Sequence, residues 1–263
     1  MSDEDLINLI NAAYVVAAVL FIWGMAQLRR PSTARRGNQY AAVGMTIAVG
    51  ATLFNPGIDG GSAFIWIAAG VLSGAIIGAF LARTVEMTQM PEMVAVFNGF
   101  GGLASALVAG AELIRLNDLD ADIDLDIVIT IALSTAIGAL TLSGCFVAAA
   151  KLHGTMNTNP ILIPARNIIS RVVAAAVLGV GILLIVDPDA TVWYIALAAA
   201  ALLLGYLVAF PIGGADMPVL VALFNSYSGL AAAAAGFVIG NDVLIITGAI
   251  VGASGLILTT IMT

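Results

Sequence analysis

The residues best placed to do chemistry are polar side chains that recur at matched positions inside apolar runs. Two stretches align at a constant offset of 127 residues: MPEMVAVFNGFGGLASA from Met90 and MPVLVALFNSYSGLAAA from Met217. Pro91 thereby matches Pro218, Asn98 matches Asn225 and Leu103 matches Leu230. Each asparagine follows its proline by seven residues, which on a helix places it roughly 10 Å from the start. A carboxamide at that depth in hydrocarbon must find partners inside a bundle. Two roles suit the pair: interhelical hydrogen bonding worth about 0.6–2 kcal/mol, or the lining of a polar path.

Charged groups beside the repeats have their own alternatives. Asp216 precedes the second copy, where a carboxylate can cap the helix by accepting from free backbone N–H groups. Glu92 stands in the first turn of the first copy and suits the same dipole. The only histidine, His153, sits beside Lys151 outside the apolar runs and reads as a solvated side chain. Cys145, the single cysteine, lies within an apolar run and reads as a small packed group, so no disulfide or cysteine metal cluster is available. Alternating aspartates from Asp118 to Asp126 form either a solvated acidic loop or a weak hard-cation site. GFGGLA from Gly99 satisfies a loose dinucleotide pattern, but such a pattern needs a strand before it and an acidic residue after it. No phosphate-binding P-loop, zinc-protease motif or catalytic triad is present. The chain is therefore expected to bind neither cofactor nor metal.

The elements that must position these residues are membrane-spanning helices. Of 263 residues, 61% are hydrophobic and 10% charged, against roughly 45–50% and 25% in soluble domains. Mean hydropathy is +1.09. The apolar residues fall in runs of about 20, the length a helix needs to cross hydrocarbon, rather than in short alternating barrel strands. Breaks at proline, glycine and charge clusters predict an all-α bundle of nine spans near 6–28, 38–54, 63–82, 91–113, 127–150, 167–186, 192–210, 217–238 and 242–262. Small residues beside the asparagines, including Gly101, Gly102 and Gly229, would let helices approach closely, as would Gly248, Gly252 and Gly255 of the last run, which also carries Ser254. Their pattern predicts that the fourth, eighth and ninth spans occupy the centre, with the fifth a counterpart of the ninth.

Basic residues set the orientation. With the N-terminus outside and the C-terminus in the cytoplasm, Arg29, Arg30, Arg35, Arg36, Arg83, Lys151, Arg166 and Arg171 are cytoplasmic, and Arg115 alone is external. Asp59, Asp118, Asp120, Asp122, Asp124, Asp126, Asp187, Asp189 and Asp242 then lie outside with the acidic N-terminal residues. A net charge of −7 argues against nucleic acid as a partner.

MPEMVAVFNGFGGLASALVAGAEL and GGADMPVLVALFNSYSGLAAAAAGFVIGNDVLIITGAIVGASGLIL, with the count of nine spans, resemble the membrane domain of the β subunit of proton-translocating nicotinamide nucleotide transhydrogenase. The resemblance covers nearly the whole chain. It implies a part in coupling inward proton movement to hydride transfer from NADH to NADP⁺, in a multi-pass protein of the cell inner membrane that forms a homodimer. It also implies an α subunit carrying the NAD(H)-binding domain and a separate or subsequent NADP(H)-binding domain. Asp216, beside Gly213 and Gly214, matches a cytoplasmic-end aspartate linked to the NADP(H) domain, and Asn225 matches an asparagine implicated in proton conduction. Ser254 and Gly255 match small residues of the last span. Asn98 occupies a position where many members carry a proton-relay histidine. With no histidine in any predicted span, water ordered by Asn98, Asn225, Ser226, Tyr227 and Ser254 is the expected substitute. The alternatives are a secondary transporter built from the parallel repeat and a passive membrane anchor, which polar residues at matched depth disfavour.

Overall fold

A computed structural model describes residues 3–28, 30–58, 61–119, 123–160, 165–189 and 191–263. The charges expected at Arg29, Asp59, Asp120 and Asp122 lie outside the described residues. Among the described residues there are nine long helices and no strand: α1 (Asp3–Leu28), α2 (Pro31–Leu53), α3 (Gly61–Thr84), α4 (Met90–Asp118), α5 (Leu125–Leu152), α6 (Arg166–Val186), α7 (Thr191–Ala209), α8 (Met217–Val238) and α9 (Asp242–Met262). Eight are long and apolar enough to cross a membrane. The exception, α2, has sufficient length, but Arg35, Arg36, Asn38 and Gln39 make its first half polar; it begins at Pro31, ahead of the predicted start.

Two compact units divide the chain, residues 1–88 and 89–263. In the first, α1 and α2 form a close antiparallel pair. A β-carbon on Gly37 would lie 2.7 Å from the Gly24 carbonyl oxygen, so glycine is what permits this approach. Tyr14 and Thr52 share a hydroxyl–hydroxyl hydrogen bond of 2.8 Å. α3 buries none of its residues, and Gly70, Gly74 and Gly78 face open space.

The second unit is organised around α5, which packs against α4, α6, α7 and α8, while α9 rests on α8. The expectation that α9 shares the centre is corrected here. α9 has one close-packing stripe, Gly248, Gly252 and Gly255, and turns Leu256, Ile257, Leu258 and Ile261 outward. α5 buries small and hydroxyl-bearing residues on several faces, among them Ser134, Thr135, Thr141 and Cys145. Gly144 makes room for the Phe224 ring of α8, and Gly205 brings α7 against the Leu140 carbonyl.

α5 is nonetheless the counterpart of α9. A β-carbon on Gly102 would meet the Gly138 carbonyl oxygen at 2.7 Å; one on Gly229 would meet that of Gly248 at 2.8 Å. Gly99 abuts Cys145 as its equivalent Ser226 abuts Gly255. The partners Gly138 and Gly248, and likewise Cys145 and Gly255, are 110 residues apart. The repeat is thus a packed pair, α4–α5 and again α8–α9. Gly101 lies outside this interface: a β-carbon added there would have nothing within 4 Å, so its expected packing role has no partner in the described residues.

Turns at the ends of these pairs follow local chemistry. α4 and α8 carry proline in their first turn, where the missing N–H costs nothing. Gly240, at φ +64°, closes α8 in a left-handed turn in which Asn241 N–H donates to the Gly236 carbonyl at 2.8 Å. The Asn241 side chain then caps α9 by accepting from Leu244 N–H.

Candidate functional site

α4 and α8 begin at one end of the second unit, where α5 and α9 finish. A cavity of about 510 Å³ opens there, lined by Met90, Pro91 and Val94 of α4, Leu152 of α5, Pro218, Val221, Ala222 and Asn225 of α8, and Leu258 and Met262 of α9. Asn225 is the one side chain of that lining with a hydrogen-bonding group other than sulfur. Its position, two turns into α8, comes from the same proline-to-asparagine spacing seen in the sequence. Among the described residues its carboxamide has no hydrogen-bond partner, leaving it free to face the cavity.

Asn98, one helical turn beyond Val94 of that lining, sits in a polar cluster. Its Nδ2 donates to Cys145 Sγ at 3.1 Å, and its Oδ1 accepts a short hydrogen bond from Ser228 Oγ. Ser228 Oγ also lies 3.0 Å from the Asn225 carbonyl oxygen. A serine has one hydroxyl hydrogen, so these two acceptors compete for it or share it. The two repeat-related asparagines are therefore joined through Ser228, which the sequence places on the Asn225 face without marking it as more than a small residue. Cys145 enters the cluster too, as an acceptor and not only as filler.

The other expected path residues have partners of their own. Ser226 is buried and donates to the Gly252 carbonyl at 2.7 Å, tying α8 to α9. Ser254 donates to Val251 within its own helix. Tyr227 packs its ring near Phe224, with centroids 6.1 Å apart. Further along α4 and α5, Ser134 Oγ lies within hydrogen-bonding distance of the carbonyls of Ser105 (3.0 Å) and Ala231 (3.1 Å), linking α5 to both repeat helices. Thr135 Oγ1 is buried without a partner.

The segment leading into α8 is held at two points. Lys151 is fully buried and donates from Nζ to the carbonyls of Phe210 and Ile212, the latter at 2.6 Å. These carbonyls follow the end of α7, where a cation is favoured by the helix dipole. Gly214 N–H donates to Thr158 at 2.7 Å, and Gly213 packs against Pro160. Both glycines serve close approach. Asp216 occupies the N-cap position but its carboxylate makes no capping bond. The reason is conformational: at φ −92°, ψ −2° it belongs to the preceding turn, away from the extended backbone that lets a cap side chain fold back. It is exposed.

Glu92 stands in the first turn of α4, where its charge suits the helix dipole, and it also has a partner on the neighbouring helix. Its Oε2 lies 2.9 Å from Nδ1 of His153, which caps the last turn of α5 just before Gly154 at φ +81°. The histidine expected to be merely solvated is thus paired across the α4–α5 interface. No group of three or more metal-ligating side chains occurs among the described residues.

A family model described as NAD(P) transhydrogenase beta subunit matches residues 10–263. The chain is similar to NAD(P) transhydrogenase subunit beta of Rhodospirillum rubrum, 40% identical over 259 residues, covering 97% of this chain and 55% of the relative. The same subunit from a named strain of that species gives identical figures. The chain spans about half the length of these curated relatives. With the match running from the first helix to the last residue, this membrane protein belongs to the NAD(P) transhydrogenase beta subunit family.

Proposed function

We propose that this chain is the membrane part of a proton-translocating transhydrogenase, through which inward proton movement is coupled to hydride transfer from NADH to NADP⁺. The nucleotides are held by partner domains, NAD(H) by an α subunit and NADP(H) by a domain docked on the cytoplasmic face. The observation that carries this reading is the Ser228 hydroxyl shared between Asn98 and the Asn225 carbonyl at the side of an end-opening cavity. Amides and hydroxyls of this kind orient water and pass hydrogen bonds along a chain without themselves ionising. Ser105, Ser134 and Thr135 extend the polar groups deeper between α4 and α5.

In this reading the N-terminus is external, and the cavity opens toward the cytoplasm of a cell whose inner membrane holds the protein as a homodimer. Asp216, on the held segment ahead of α8, is the link between nucleotide state and proton access. A helix whose first turn shifts carries Asn225 and Ser228 with it, two to three turns on. The parallel packed repeat also suits a secondary transporter, since such folds place sites at repeat interfaces.

Reconstitution of the complete complex in liposomes containing a pH-sensitive dye separates these readings. Asn225→Leu is expected to slow proton movement driven by NADH and NADP⁺ while leaving nucleotide binding intact. Unchanged pumping by that variant would overturn the polar-path assignment. Failure of the wild-type complex to move protons, with uptake of another solute, would favour the transporter.

A further inference from the structure

Beside the cavity mouth, the only histidine of the chain meets a carboxylate from the neighbouring helix. Pro91 and Leu152 line the cavity, and the residues that follow them, Glu92 and His153, face each other across the α4–α5 interface at 2.9 Å. The Glu92 side chain is 14% exposed and that of His153 is 56% exposed, so the pair joins a largely enclosed carboxylate to an imidazole open to solvent. Gly154 ends α5 in a left-handed turn directly after the histidine.

We infer that His153 and Glu92 form the proton-exchange station between bulk water and the cavity that leads to Asn225 and Asn98. This rests on the transhydrogenase reading and adds to it a group with a ring nitrogen able to take up and release a proton. The amides and hydroxyls of the inner cluster neither gain nor lose protons near neutral pH, and the chain has no histidine within the spanning segments. Imidazole ordinarily changes charge across that range, and a carboxylate partner holds one ring nitrogen while the other is available for exchange. The step is a simple transfer: bulk water gives a proton to, or takes one from, Nε2, and Nδ1 hands a proton to, or takes one from, the Glu92 carboxylate that it faces at 2.9 Å. No electrons move.

Lys151 turns its ammonium to the Phe210 and Ile212 carbonyls. Asp216 lies ahead of α8, and Arg166 and Arg171 stand in the first two turns of α6. The segment 210–215 and the last turn of α9 carry no ionisable side chain. Among the described residues, Glu92 is the one that hydrogen bonds to the imidazole.

The test uses the complete complex in liposomes, comparing wild type with His153→Gln from mildly acidic to alkaline pH. Glutamine keeps a hydrogen-bonding group toward Glu92 but has no ring nitrogen to take up or release a proton. Proton movement by the variant is expected to fall about tenfold above neutral pH, where free protons are scarce, and much less in acid. Imidazole added to the bath should restore it, a response that a purely structural role does not produce. Melting temperature measured in parallel guards against misfolding. A variant with an unaltered pH profile, or one slowed equally at every pH and not rescued by imidazole, overturns the assignment. A wild-type complex that moves no protons overturns the transhydrogenase reading itself, and this one with it.

Discussion

Ser228 on α8 donates its hydroxyl to the carboxamide oxygen of Asn98 on α4, and the same hydroxyl oxygen lies 3.0 Å from the carbonyl of Asn225. One mobile hydrogen therefore connects the two equivalent positions of a sequence repeat. Ser228→Ala removes that hydrogen and leaves Asn98 Oδ1 short of a partner in a half-buried site. The expected cost is about 1–3 kcal/mol of stability, together with a loss of coupled proton movement. Melting temperature and liposome proton uptake, measured on the same preparation, check both parts; normal uptake would remove Ser228 from the path.

Close glycine contacts make the packed repeat sensitive to single methyl groups. Gly102→Ala and Gly229→Ala each push a β-carbon into the backbone of the adjoining helix, and each is expected to destabilise by about 1–3 kcal/mol. Gly101→Ala is the control: with open space at its β-carbon, it should melt like the parent. Thermal unfolding in mild detergent distinguishes the three variants.

Asp216 offers a separation of charge from helix capping. Because its carboxylate makes no capping bond, Asp216→Asn is expected to leave the melting temperature nearly unchanged. If the negative charge carries coupling to the nucleotide domain, the same variant should lose coupled turnover in the complete complex. Normal turnover would relieve Asp216 of that role.

Lys151 holds the connection between α7 and α8 from beneath. Lys151→Met preserves much of the apolar stem but leaves the Phe210 and Ile212 carbonyls without their donor, at an expected cost of about 1–3 kcal/mol. Limited proteolysis should then cut within the segment 210–214 faster than in the parent. An unchanged cleavage rate would show that the Gly214–Thr158 bond alone holds the segment.

Much of the architecture was legible from composition and local signals, because a helix in hydrocarbon satisfies its own backbone and so announces itself by length and apolarity. Run lengths near 20 residues, Pro91 and Pro218 at helix starts, and the 127-residue repeat specified the helices, their parallel sense and the matched depth of Asn98 and Asn225. The partner of each polar group was not legible, since that depends on which helix faces which. The resemblance led to an expectation of water ordered by Ser226 and Ser254 with the asparagines, yet one serine donates to the neighbouring helix backbone and the other to its own. Spacing assigned Asp216 to capping, where its turn conformation makes no capping bond, and it gave no sign that Glu92, in the first turn of α4 as expected, also meets His153. The central place of α5 had the same origin. Small residues on α9 and α5 look alike in one dimension, but only the assembled bundle decides that α5 is enclosed by four helices while α9 rests on α8, because burial is a property of neighbours rather than of the segment.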